Sequence, residues 1–432
     1  MKWGNDKMSD IDRNLINMYE LLICLTNAGD LISPELANHH QQVAYLAFKI
    51  AEQLDLPDEQ KKELTLASLL HDVGALSLDE RLELIENEPM TSQNHAFRGA
   101  RLIEGFLPLR GAAGIIRYHH IPWNNGEGRV FGNQEVPYLS HILHLADRIA
   151  VSVDKNRDII GQIKGIQDKI QAQKNTAFMP ELVDAFMEMS GKEYIWLDVA
   201  YKPLLYILPE IVMFDTLELN MDELIDLTKI FSSIIDFRSP FTANHSAGVA
   251  KTAEKFAEFA GFSKQECKMM LVAGNLHDLG KLAVRREVLE KPDKLNTVEF
   301  NTIKSHSFYT FRLLQAIRGF ETINKWASFH HEKLNGRGYP FHLYGDNLPL
   351  GSRIMAVADI FTAITEDRPY RKAMPDERVI SVLRSMVDDG SICPYVVSIL
   401  MDNYELINGI RREAQQKAGI EYNYFAKVAV DL

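Results

Sequence analysis

The histidines of this chain recur by a rule that its fold must satisfy. Ser33-Pro34-Glu35-Leu36-Ala37-Asn38-His39 returns 206 residues later as Ser239-Pro240-Phe241-Thr242-Ala243-Asn244-His245. The same offset carries Leu70-His71-Asp72-Val73-Gly74 onto Leu276-His277-Asp278-Leu279-Gly280. Offsets of 211 and 212 then carry His95 onto His306, His119-His120 onto His330-His331, and Ala146-Asp147 onto Ala358-Asp359. Ten of the 14 histidines therefore form two quintets in one order. Self-similarity at a nearly fixed offset marks a duplicated folding unit, so the chain reads as two tandem domains, 1–205 and 206–432.

Between the histidine clusters the apolar residues follow helical spacing. Val43, Leu46, Ile50 and Leu54 lie on one face after His39, as Val249, Phe256 and Phe259 do after His245. The fold class is accordingly all-α, two tandem helical domains of one kind. Glycine- and proline-containing loops, 122–136 and 335–349, follow the two histidine pairs. Helices near 180–189 and 221–231 are expected to join the halves.

Composition narrows the function. The formal net charge is −12, which argues against a duplex DNA or RNA partner, since such binders need a basic face. The three cysteines, Cys24, Cys267 and Cys393, are too far apart in sequence for a thiolate metal site or a disulfide framework. The polar start lacks the apolar run of a signal peptide, and no stretch is long enough to span a bilayer. A cytoplasmic protein without a membrane partner is the expectation.

The histidines and aspartates of the second half are sufficient for a dinuclear centre. An adjacent His277-Asp278 suits a carboxylate shared by two metals, with the histidine on one of them. Asp278 is read as the bridge. His245, His277 and Asp359 would complete one metal, and His306, His330 and His331 the other. Mixed nitrogen and oxygen donors favour iron, manganese or another divalent transition metal over calcium. Two such metals activate a bridging water and clamp a phosphoryl group, so the set points to phosphate-ester hydrolysis. His40, His141, His144 and His342 have no counterpart in the repeat and are read as ordinary packing or surface residues.

The pattern His245…His277-Asp278…Asp359 resembles the HD phosphohydrolase superfamily. His330-His331-Glu332-Lys333-Leu334-Asn335-Gly336-Arg337-Gly338-Tyr339-Pro340 resembles the signature of its HD-GYP subfamily, as do His277-Asp278-Leu279-Gly280-Lys281 and Arg368-Pro369-Tyr370-Arg371-Lys372-Ala373-Met374. The likeness spans about residues 222–410; the first half resembles only the wider superfamily. It implies a bacterial, metal-dependent phosphodiesterase acting on a cyclic dinucleotide, c-di-GMP or 3′,3′-cGAMP, and leaving a linear 5′-phosphorylated dinucleotide. Asp278 and Lys281 would then be catalytic, with Lys281 reaching the scissile phosphate. Gly336 and Gly338 would let the loop approach the ligand, Tyr339 would stack on a base, and Arg368 and Arg371 would hold the second phosphate. A receptor that binds without cleaving, or a nucleotide phosphohydrolase, are the competing functions.

Three positions depart from the subfamily. Phe241 stands where three-metal members carry glutamate, so two metals are expected. Thr362 and Ser239 stand where carboxylates occur, which leans the base preference towards 3′,3′-cGAMP, with Thr362 facing the base. The first half keeps His39, His71, Asp72, His95, His119, His120 and Asp147, and has Glu35 at the Phe241 position. Yet Ala75 replaces the lysine, Ile121 the glutamate, and Arg129-Val130 the Tyr-Pro pair. It is expected to bind metal without opening a cyclic dinucleotide. Either it is a second phosphohydrolase, trimming a terminal phosphate, or it is a module for regulation and homodimer formation.

Overall fold

The computed structural model describes residues 16–30, 37–75, 78–86, 93–200, 204–212, 219–238, 244–291, 293–367 and 372–428. Among them, the strands are two-residue pieces, Val130–Phe131 and Gln134–Glu135, paired antiparallel in the loop after His119-His120. Everything else that is regular is helical.

Six helices recur in the order that the repeat requires. In the first half they are α1 (Met18–Asp30), α2 (His39–Gln53), α3 (Asp58–Leu70), α4 (Gln93–Ile103), α5 (Arg110–Arg117) and α6 (Tyr138–Val151). Their counterparts are α7 (Met221–Asp236), α8 (His245–Phe259), α9 (Lys264–Leu276), α10 (Thr297–Gln315), α11 (Glu321–Ser328) and α12 (Leu350–Ile364). A long helix, α13 (Tyr404–Val428), follows. Local sequence starts several of them: Asn220/Glu223, Ser263/Glu266 and Asn296/Glu299 form reciprocal capping boxes before α7, α9 and α10. Each box satisfies amide donors that a helix start leaves without intrahelical partners.

The chain divides into two compact units. One comprises Gly29–Phe214 with Asn423–Leu432, the other Met1–Ala28 with Asp215–Tyr422. Neither is one continuous stretch, because α1 is grouped with the second unit and the chain's last residues with the first. Of the helices expected to join the halves, Pro180–Met189 packs on α2 within its own unit, and α7 packs on α9 within its own. Both have an apolar face that a core of their own unit can bury (Leu182, Val183 and Phe186; Leu224, Leu227 and Phe231).

In each unit the first two helices of the histidine-bearing set pack against each other, α2 on α3 and α8 on α9, and α2 also lies on α6 as α8 lies on α12. His39 and His245 open α2 and α8, and His71 and His277 directly follow α3 and α9; Val43, Leu46 and Leu70 in one unit and Val249, Val272 and Leu276 in the other are essentially unexposed. Among the described residues, no helix is long and apolar enough to cross a membrane.

Candidate metal centres

A glycine brings the ligand-bearing elements together. A Cβ on Gly280 would lie 2.0 Å from the carbonyl oxygen of His306, and one on Gly74 would lie 2.1 Å from that of His95. Only glycine permits the turn after His-Asp to rest on the backbone of the helix carrying the next histidine. In the second unit Thr310 Oγ1 fastens this contact, accepting from Gly280 N at 2.9 Å and donating to the His277 carbonyl at 3.1 Å. The glycine of each His-Asp-x-Gly motif thus serves assembly of the centre, a role that its place in the repeat could have disclosed.

Four triads result. His245, His277 and Asp359 gather in one cluster and His306, His330 and His331 in another, with the donor atoms of each cluster within 4.8 Å of one another. In the first unit the clusters are His39, His71 and Asp147, and His95, His119 and His120. Asp278 lies between its two: Oδ2 is 3.2 Å from His277 Nε2 and Oδ1 3.5 Å from His306 Nε2. Asp72 does the same, with Oδ2 3.4 Å from His71 Nε2 and Oδ1 3.1 Å from His95 Nε2.

The rings are oriented by the backbone. Nδ1 of His71, His119, His277, His306 and His330 each lies 2.5 to 2.8 Å from the carbonyl oxygen three residues earlier. An Nδ1–H donated there fixes the tautomer and turns the Nε2 lone pair inward. The consequence is a set of electron-rich atoms facing one another. His306 Nε2 and His330 Nε2 are 3.2 Å apart although both Nδ1 protons are committed. Buried Nε2 atoms of His71, His119 and His277 have no hydrogen-bond partner. These facing lone pairs and carboxylates fit divalent cations at both centres.

Electrostatics agree. Burial holds His330 well below the usual range and His306 at about 3, so both rings are neutral ligands at neutral pH. His331 is lowered by burial to about 4. Burial also works against a charged His71, but Asp72 and Asp147 outweigh it and raise that ring to about 9. Burial opposes ionised Asp278 too, yet His277 and Lys281 keep its carboxyl well below the usual range. Asp278 is thus ionised while His306, His330 and His331 are neutral, the forms in which these side chains bind a metal.

Lys281 Nζ lies 2.6 Å from Asp278 Oδ2, at the edge of the centre rather than away from it. Tyr339 is tilted on His331, ring centroids 4.9 Å apart, with Lys304 Nζ 5.2 Å from its own centroid. The ring therefore already has an imidazole and an ammonium as neighbours. Gly336 adopts φ +73° in a turn closed by its own amide onto the Lys333 carbonyl. At Gly338 a Cβ would lie 2.4 Å from Glu332 Cα, so this glycine lets the loop pack closely on itself. Glu332, 3% exposed, pins that loop by accepting from Phe341 N at 2.6 Å and Leu343 N at 3.0 Å.

Thr362 lies on α12 three residues after Asp359; its side chain is fully buried and its hydroxyl has no hydrogen-bond partner. Arg368, Arg371, Ser239, Phe241 and Glu35 lie outside the described residues. His342 is exposed, as expected, and His141 packs edge-on to Trp123 at 5.5 Å. His40 and His144, expected to be ordinary packing or surface residues, pack beside candidate ligands: their rings lie 5.3 Å from His71 and 5.9 Å from His120. The signal for His40 was its adjacency to His39. His144 offered a weaker one, three residues before Asp147.

Known proteins match this arrangement. The HD domain family model matches residues 36–152, and a second model, also described as HD domain, matches residues 229–393. The 3′3′-cGAMP-specific phosphodiesterase 1 of Vibrio cholerae is 29% identical over 93% of this chain and 96% of its own length. The cyclic di-GMP phosphodiesterase response regulator RpfG of Xanthomonas campestris is 35% identical over 34% of this chain and 40% of its own. A crystal structure of a cyclic GMP-AMP-specific phosphodiesterase of Vibrio cholerae (V-cGAP3) superposes with a TM-score of 0.63 at 24% identity, covering 90% of this chain and 98% of that one.

Proposed function

We propose, from the premise that this chain belongs to the HD domain family in both its halves, that it is a metal-dependent phosphodiesterase opening a cyclic dinucleotide at the centre of its second half. The observation that carries the reading is Asp278 set between two complete triads, with the Lys281 ammonium on its Oδ2. The repeats are taken as 1–205 and 206–432. His245, His277 and Asp359 would hold one metal and His306, His330 and His331 the other, with Asp278 shared; iron or manganese suits these donors.

Two metals so held supply Lewis acidity and a hydroxide at neutral pH. The chain does the rest. Backbone carbonyls fix the ligand rings, so little reorganisation accompanies reaction. The Lys281 side chain is 18% exposed, which lets its ammonium exchange Asp278 for a phosphodiester oxygen and offset charge growing there. Tyr339, partly exposed beside His331, is the residue that would stack on a base. A bond broken at the 3′ oxygen leaves a linear 5′-phosphorylated dinucleotide.

A relative specific for 3′3′-cGAMP aligns across both halves, which supports 3′,3′-cGAMP as substrate beside c-di-GMP. The deciding experiment is chromatography and mass spectrometry of products after incubating the metal-loaded protein with 3′,3′-cGAMP, c-di-GMP and c-di-AMP separately. Linear 5′-phosphorylated product from the first or second is expected; no turnover of either, or a 3′-phosphorylated product, contradicts the reading.

The first half has two complete triads of its own, which supports metal binding there. Ala75 in place of a lysine withholds the cation that ring opening would use.

A further inference from the structure

Behind the second centre, a file of buried polar side chains connects His245 to α13. Glu366 Oε1 lies 2.9 Å from His245 Nδ1. Gln415 Nε2 donates to Glu366 Oε2 at 2.7 Å. Gln415 Oε1 in turn accepts from Arg411 Nη1, whose Nε and Nη2 donate to Asn408 Oδ1 at 3.1 and 2.8 Å. Glu366, Gln415, Arg411 and Asn408 are each at most 8% exposed.

His245 opens α8. Glu366 stands seven residues after Asp359, just past the last residue of α12, and Asp359 Oδ1 lies 3.1 Å from His245 Nε2. The two carboxylates thus hold opposite edges of one imidazole. Gly248 makes room for the support: a Cβ there would lie 2.8 Å from Gln415 Cγ. A mid-helix glycine costs roughly 0.5–1 kcal/mol, and this one leaves the gap that Gln415 fills. At the matching position the first half has Gln42, whose amide donates to the Val199 carbonyl. Where Glu366 stands it has Asp154, which is exposed and accepts from Asn156 N.

We propose that Glu366 is a positioning residue for the second centre, held on His245 Nδ1 by Gln415 and Arg411, so that α13 sets how tightly the His245 metal is retained. The proposal rests on the dinuclear reading above. An outer carboxylate fixes ring orientation and raises ligand basicity, and its loss typically costs 10–100-fold in metal affinity.

The test is Mn2+ bound per chain against free Mn2+, by equilibrium dialysis of the full-length protein, for wild type and the variants His245→Ala, Glu366→Ala, Glu366→Gln and Gln415→Ala. Glu366→Ala should lose the same equivalent as His245→Ala at low Mn2+ and regain it at about 10–100-fold higher concentration. Glu366→Gln, which keeps an oxygen but no charge beside His245 Nδ1, and Gln415→Ala should shift the same step less. Ring-opening kcat of Glu366→Ala should recover at saturating Mn2+, with KM unchanged. Should Glu366→Ala fail to fold, the two milder variants carry the test. Superimposed titrations for all the Glu366 and Gln415 variants, with His245→Ala alone deficient, overturn this proposal and leave the centre standing. A His245→Ala titration that also matches wild type overturns the dinuclear reading and this proposal with it.

Discussion

At the residue after the paired histidines the first half has Ile121, 4% exposed, and the second has Glu332, 3% exposed. Ile121 joins an apolar core. Glu332 instead takes two loop amides and shapes the segment that carries Tyr339. The cations differ as well. In the second unit Lys281 sits on Asp278, the carboxylate between the triads. In the first, Arg148 Nη2 sits 2.6 Å from Oδ2 of Asp147, a carboxylate within one triad, and Ala75 is buried where the lysine would be. The triads recur in both units, whereas a lysine on the central aspartate and a loop held by a buried glutamate occur in the second.

The strongest way to break that comparison is to remove the shared carboxylate from each unit. Asp278→Ala should lower ring opening by more than about 10³-fold, because it releases the group common to both metals. Asp72→Ala should lower metal content per chain and leave ring opening largely in place. Activity assays paired with elemental analysis check both. Ring opening lost in a folded Asp72→Ala protein that retains its second-half metals would show the first centre to be catalytic or tightly coupled.

Next in size is Lys281→Ala, which gives the second unit the first unit's residue. The expected loss is about 10²–10³-fold in kcat, comparable to removing one oriented donor from a transition state. Metal content should stay unchanged, so a parallel loss of metal would assign Lys281 to assembly instead.

Glu332→Ile carries the comparison to the loop. It strands the amides of Phe341 and Leu343 beside an apolar side chain, at about 1–3 kcal/mol for an unsatisfied buried group. A drop of about tenfold in kcat/KM corresponds to 1.4 kcal/mol and is the expected scale. Increased proteolysis within 335–349 should accompany it; an unaltered loop and unaltered rate would deny Glu332 this role.

The smallest effect belongs to Thr362→Val. Its buried hydroxyl has no partner, so an isosteric methyl should change stability by less than about 1 kcal/mol. The ratio of 3′,3′-cGAMP to c-di-GMP turnover should not move. Thr362→Asp should instead destabilise the protein by several kcal/mol, since it buries a carboxylate without a partner. A changed substrate ratio in a stable Thr362→Val protein would return this residue to the ligand space.

The sequence by itself determined the duplication, the helical class and the division of seven ligand candidates per half into a shared aspartate and two triads. It could do so because metal ligands are few in type and their order along the chain survives folding. Helical spacing likewise shows which residues share a face. The tertiary structure decided what those faces meet. Thr362 lies three residues after Asp359, which suggested a common face; the fold buries its side chain completely. At Gly338 a Cβ would meet Glu332, a contact that spacing alone does not show. His40 follows a ligand candidate directly in the chain, yet only the fold sets its ring 5.3 Å from His71, and Glu366 meets Gln415 although 49 residues separate them. Register along one helix is local, whereas burial and contact depend on elements up to hundreds of residues away, and only their packing fixes them.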